Sequence, residues 1–141
     1  MMNRYLIVIV ILCLIASILY KKWASDYALR QLYLVRQAGD DEQFLRAIDS
    51  DFIRLQFNYF TRTFMKLNYW IERDKETEVR ELLLVFIRMK MKPAEEIALY
   101  YRLYEYALKK GLRDEMGAYG QHLEALLQNN HGRKLIRKKR R

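Results

Sequence analysis

Sixteen consecutive residues, from Tyr5 to Tyr20, carry no charge and separate Arg4 from Lys21. A helix made from them is apolar on every face, so it has no polar side to turn to water. Its natural solvent is lipid. At about 1.5 Å per residue the run covers about 24 Å, against a hydrocarbon core of about 30 Å. The flanks close the gap. Arg4, Lys21 and Lys22 can lay their methylene stems along lipid and lift their charges to the headgroups. Tyr5, Tyr20 and Trp23 are the amphipathic rings expected at the two interfaces, and local thinning of the bilayer supplies the rest. Residues 1–23 are therefore expected to form a transmembrane anchor, with Tyr5 and Tyr20 at its ends and Leu12 and Cys13 at its centre.

A cleaved signal peptide would need a clean pair of small residues behind the apolar run. The nearest pair, Ala24-Ser25, stands behind Lys21, Lys22 and Trp23. An uncleaved anchor is the expected outcome. Cys13 lies inside the run without the small residues that precede a lipoprotein cysteine, and as the single cysteine it excludes an intrachain disulfide. Basic residues gather on the carboxyl side of the span (Lys21, Lys22, Arg30 and Arg36), and such residues stay in the cytoplasm. This predicts an amino terminus outside and about 120 residues inside.

Net charge is +9, but its distribution is uneven. The last nine residues hold seven basic groups (Arg133, Lys134, Arg137, Lys138, Lys139, Arg140 and Arg141) and no acid. Removing these seven and Arg4, Lys21 and Lys22 from the 26 basic residues leaves 16 against 17 acids. The body is thus an ordinary mixed-charge domain whose ends are basic. A run of like charges repels itself, so residues 131–141 are expected to be a disordered tail. Each Lys or Arg beside an anionic leaflet contributes about 1 kcal/mol, which makes anionic lipid headgroups the nearest partner for the tail. RNA phosphate is the alternative polyanion, although no aromatic side chain is present there for base stacking.

The remainder reads as all-α. Only one proline and five glycines occur, and no stretch alternates as a half-buried strand would. Ile53, Phe57, Phe60, Phe64, Leu67 and Ile71 follow at steps of four and three, an apolar stripe along one helix. The breaks are Gly39-Asp40, Arg73-Asp74, Pro93 and Gly111, each beside the acids that favour a helix start. Helices are expected over 24–38, 41–50, 52–72, 75–91, 94–110 and 113–128, packed as antiparallel hairpins because the loops are short. Between Arg4 and Ala38 there is no glycine or proline, so the span is expected to run unbroken into the first helix of the body.

The Gly39-Asp40 and Arg73-Asp74 turns are 34 residues apart, and the next, at Gly111, is 38 further on. Two helices per period near 34 is the spacing of tetratricopeptide-type repeats. The segment from Gly39 to Ile48 resembles the turn and second helix of that superfamily, and Pro93 falls near the end of the second unit. The likeness spans residues 24–130. It implies an α-solenoid domain that binds proteins or peptides on a concave face without catalysis.

No phosphate loop, metal-type cysteine pair or His-Glu-x-x-His run occurs. His122 and His131 are nine residues apart and imply no ligand set. The serines Ser17, Ser25 and Ser50 offer no triad. Neither an enzyme, a cofactor nor a small-molecule substrate is expected. Aromatic residues supply the candidate site. Tyr100, Tyr101, Tyr104 and Tyr106 crowd one helix and point in different directions, so one narrow seam cannot bury all four. Exposed tyrosine is favoured at protein interfaces, and Tyr59, Arg62, Tyr69, Tyr101, Arg102 and Tyr106 are predicted to form a partner groove. The combined expectation is a single-pass membrane protein whose cytoplasmic helical domain recruits protein partners, with a membrane tether for RNA or ribosomes as the rival.

Overall fold

A computed structural model describes the backbone of residues 2–139 and the side chains of residues 3–132. All regular structure among the described residues is helical: α1 (Met2–Ala38), α2 (Asp41–Ile48), α3 (Asp51–Gln56), α4 (Tyr59–Glu72), α5 (Glu76–Arg88), α6 (Pro93–Lys110) and α7 (Arg113–Lys139). The chain divides into two compact units, Met1–Lys66 and Leu67–Arg141, with the division falling inside α4.

The first unit is built on α1. With no glycine or proline to interrupt it, this helix runs for 37 residues, about 55 Å. Its amino-terminal half is apolar and wholly exposed, and it is long and apolar enough to cross a membrane. Its carboxyl-terminal half buries Ala24, Ala28 and Leu32, which follow at steps of four and so share one face. That face packs against α2 and α3. The two alanines are fully buried, and small residues there let neighbouring backbone come close. Gly39 adopts a left-handed conformation (φ 82°) behind α1. Asp40 then caps α2 by accepting from the backbone N–H groups of Glu42 and Gln43, at 3.0 and 3.2 Å.

The helix expected over 52–72 is two helices. Phe57 is extended, and the Asn58 side chain accepts from the Thr61 N–H at 2.8 Å, opening α4. The apolar stripe hides the break because its spacing continues across it. Asp49, behind α2, is held by Lys66 at 3.0 Å and Arg62 at 3.7 Å, both from α4.

In the second unit, Asp74 stands in the expected break between α4 and α5. It is a left-handed residue (φ 59°) that ends α4, with its N–H donating to Ile71 and that of Lys75 to Trp70. These are the paired bonds of a helix C-terminal motif, and Asp74 does not cap α5. Its carboxylate pairs with Lys110. Gly111 (φ 70°) closes α6 in the same way, through Leu108 and Ala107. Pro93 stands at the first turn of α6, and the Lys92 N–H donates to Glu95 at 2.9 Å. The short turn at Gly111 folds α7 back along α6, bringing His122 to Glu96 and Tyr119 to Tyr100. Gly120 lies under the Tyr104 ring, where a Cβ would stand 3.3 Å from a ring carbon. The core is large: Leu67, Tyr69, Trp70, Ile71, Val79, Phe86, Leu99, Leu103 and Tyr106 are all buried.

Helix α7 continues through Lys139, where the sequence predicts a disordered tail from 131. Gly132 costs a helix only about 1 kcal/mol relative to alanine. The Asn129-Asn130-His131-Gly132 segment therefore does not stop it.

Candidate functional site

Helix α1 carries two exposed apolar faces at and beyond the end of its uncharged run. Tyr20, Trp23 and Tyr27 form a ladder of rings, with centroids 6.1 and 5.6 Å apart. Tyr27 meets Phe52 of α3 edge-on at 5.9 Å. About a third of a turn round the helix, Leu29 and Tyr33 join Leu32, Leu34, Phe44 and Met65 in an open groove of about 570 Å³ with Arg30 and Arg36 also lining it. Leu29, Tyr33 and Leu34 are exposed. The Gly39-Asp40 turn brings Phe44 back beside Leu32. The Asp49 ion pairs hold the α4 backbone that carries Met65. Thr63, on the same helix, is buried and satisfied by donating to the Tyr59 carbonyl at 2.7 Å.

The second unit holds a pocket of about 410 Å³ between α5, α6 and α7. Leu83, Phe86, Ile87, Met89 and Met91 line one side, and Leu99, Tyr100, Leu103 and Tyr119 line the other. Its polar element is Glu96, whose carboxylate lies 3.3 Å from His122 Nε2. The His122 ring is 4.0 Å from that of Tyr100. Burial raises the Tyr100 pKa above 10.0, with Glu96 adding to the rise. Tyr119 is raised by burial and then by Glu115. Methionines adapt to irregular apolar surfaces, so the pocket is chemically suited to an aliphatic side chain. Among the described residues, no group of three or more His, Cys, Asp or Glu could hold a metal ion.

The six residues predicted as a partner groove fall into different environments. Tyr59 is 57% exposed and Tyr101 56%. The Arg62 guanidinium stands 5.7 Å from the Tyr59 ring centroid and reaches toward Asp49, and its Nε is buried without a hydrogen-bond partner. Arg102 is committed within the second unit, donating to Asn68 at 2.7 Å and pairing with Glu105 at 3.3 Å. Tyr69 and Tyr106 are 1% and 6% exposed. They are core residues, which corrects their expected place on an open surface. Tyr69 packs edge-on against Trp70 at 5.0 Å and lies under the Arg73 guanidinium at 4.5 Å. The Tyr106 hydroxyl is buried without a partner, and burial raises its pKa.

Helix α6 explains the error. It buries Leu99, Leu103, Tyr106 and Ala107 while Tyr100 and Tyr104 turn toward α7. It therefore serves two seams, and of the four tyrosines only Tyr101 remains outside. The groove residues Leu29, Tyr33, Leu34, Phe44 and Met65 were missed. The signal that could have found them is the excess of apolar side chains on 24–38, more than one buried face can use. The side chains of Arg133, Lys134, Arg137, Lys138 and Lys139 lie outside the described residues, as do Arg140 and Arg141 altogether.

Comparison with known proteins places the chain in no group: no family model matches it, nor does any curated protein or solved structure.

Proposed function

We propose that the protein is a single-pass membrane adaptor: α1 anchors it, and its helical-hairpin body recruits protein partners at the cytoplasmic surface. The observation that carries this reading is the unbroken α1. One half is an exposed apolar rod suited to lipid, and the other supplies the buried face on which α2 and α3 pack. Anchor and the packed part of the first unit thus share one helix, and the groove at Leu29, Tyr33 and Leu34 is presented a fixed distance below the bilayer. The basic run from Arg133 to Arg141 supports attachment to anionic headgroups, and the charge asymmetry around the span supports a cytoplasmic body.

The test combines extraction with crosslinking. The intact chain is expected to stay with vesicles in alkaline carbonate. A photocrosslinker at Leu34 is expected to trap a discrete partner that one at exposed Gln43 does not, and adding Leu29→Glu in the same groove should abolish the product. Release by carbonate removes the anchor. A crosslinking pattern that is the same at Leu34 and Gln43 removes the groove. Deleting residues 133–141 separates the rival: loss of co-purifying RNA with the crosslinked partner retained assigns the tail to RNA.

A further inference from the structure

The ring ladder on α1 does not end with α1. It continues through Phe52 into α3, a six-residue helix. Only Ile53 of α3 is buried, while Phe52 is exposed and Leu55, three residues on and so on the same side, is 82% exposed. Leu55 is left uncovered, and Phe52 is about a third exposed beside Tyr27.

Depth along α1 says what covers them. With the bilayer centre placed midway between Tyr5 and Tyr20, a rise of about 1.5 Å per residue puts Trp23 about 16 Å and Tyr27 about 22 Å from the midplane. The hydrocarbon ends near 15 Å and the headgroup layer near 20–22 Å. A typical tilt of about 20° draws both rings slightly inward. Ala24, fully buried under the packed elements of the body, is then at about 17 Å. Part of the body must therefore lie at headgroup depth. Phe52, with its ring 5.9 Å from that of Tyr27, belongs to that part.

The geometry points to a second membrane contact: Trp23, Tyr27, Phe52 and Leu55 form a continuous apolar seat in the headgroup layer of the bilayer that α1 crosses. Aromatic rings with polar edges suit that layer. Lys21, Lys22 and Arg54 lie beside the seat in sequence, opposed by Asp26 and Asp51. Apolar burial, more than net charge, drives the contact. It sets the tilt of the first unit against the membrane plane and leaves the Leu29–Tyr33 face of α1 turned away from the seat. The inference rests on the proposed anchoring.

Spin-label accessibility in phosphatidylcholine–phosphatidylglycerol vesicles tests it with the full chain. Native Cys13 reports the span. In a Cys13→Ala background, Leu55→Cys and Phe52→Cys report the seat, and exposed Gln43→Cys reports water. Leu55 is exposed enough that its replacement leaves the core intact. The expected result is loss of nickel-chelate access and gain of oxygen access at 55 and 52 relative to 43. Water-like behaviour at 55 and 52, with Cys13 in hydrocarbon, overturns the seat and spares the anchor. A label at 55 shielded from both reagents marks a protein contact and also overturns it. Water-like behaviour at Cys13 overturns both readings together.

Discussion

The two units solve the same packing problem with opposite materials. Met1–Lys66 buries small residues of a long helix, Ala24 and Ala28, beside Leu32, Phe44, Ile48 and Ile53. Leu67–Arg141 buries Tyr69, Trp70, Phe86, Leu103 and Tyr106. A core of bulky rings lets short helices bury enough area in one place. A core on alanine brings backbones together but buries little, and it leaves the rings of its own segment (Trp23, Tyr27, Tyr33 and Phe52) on the outside. The first unit therefore leaves much apolar surface exposed, whereas the second encloses its rings.

This contrast is most severely tested at Phe86, 1% exposed. Phe86→Ala should cost about 3–5 kcal/mol, read as a lower urea midpoint for the second unit. A loss below about 1 kcal/mol would show that the ring core is not what holds it. Next in size is Ala28→Leu, which overpacks a fully buried site and should cost about 1–3 kcal/mol, with the loss of helix signal confined to the first unit.

Tyr106→Phe should be smaller and of opposite sign. It removes a buried hydroxyl that has no partner, so stability should be unchanged or rise by about 1 kcal/mol. Because the folded state holds the Tyr106 phenol above its ordinary pKa of 10.0, folding favours the protonated form. That preference is without effect below pH 10, and stability falls as pH rises through and beyond it. Lys110, raised by Asp74, contributes stability that is likewise lost at alkaline pH. Thermal melts from pH 10 upward should therefore show declining stability, with a shallower decline in Tyr106→Phe.

The smallest effect is expected at Leu29→Glu. This exposed groove position should leave stability within about 0.5 kcal/mol while abolishing the crosslinked partner.

How far the sequence announced this depends on what kind of signal each feature leaves. The turns at Gly39, Pro93 and Gly111 were legible because proline fixes φ and glycine readily takes the left-handed backbone that ends a helix. The continuity of α1 was legible because neither residue occurs within it. The break at Phe57-Asn58 was not, since apolar spacing of three and four carries across a short interruption. The turn at Arg73-Asp74 was legible from the acids around it, and aspartate tolerates the left-handed conformation that ends α4 there. The proposed groove residues failed at Tyr69 and Tyr106 because spacing on one helix cannot say how many neighbours that helix has.

The central claim is that one unbroken helix joins the apolar span to the packed part of the first unit. Native Cys13 and a second label at Gln31→Cys, measured by pulsed electron resonance in bilayer discs, test it directly. Eighteen residues of unbroken helix predict a single narrow distance near 27 Å. A broad distribution, or a distance well short of that value, would mean a hinge below the membrane and would contradict the account.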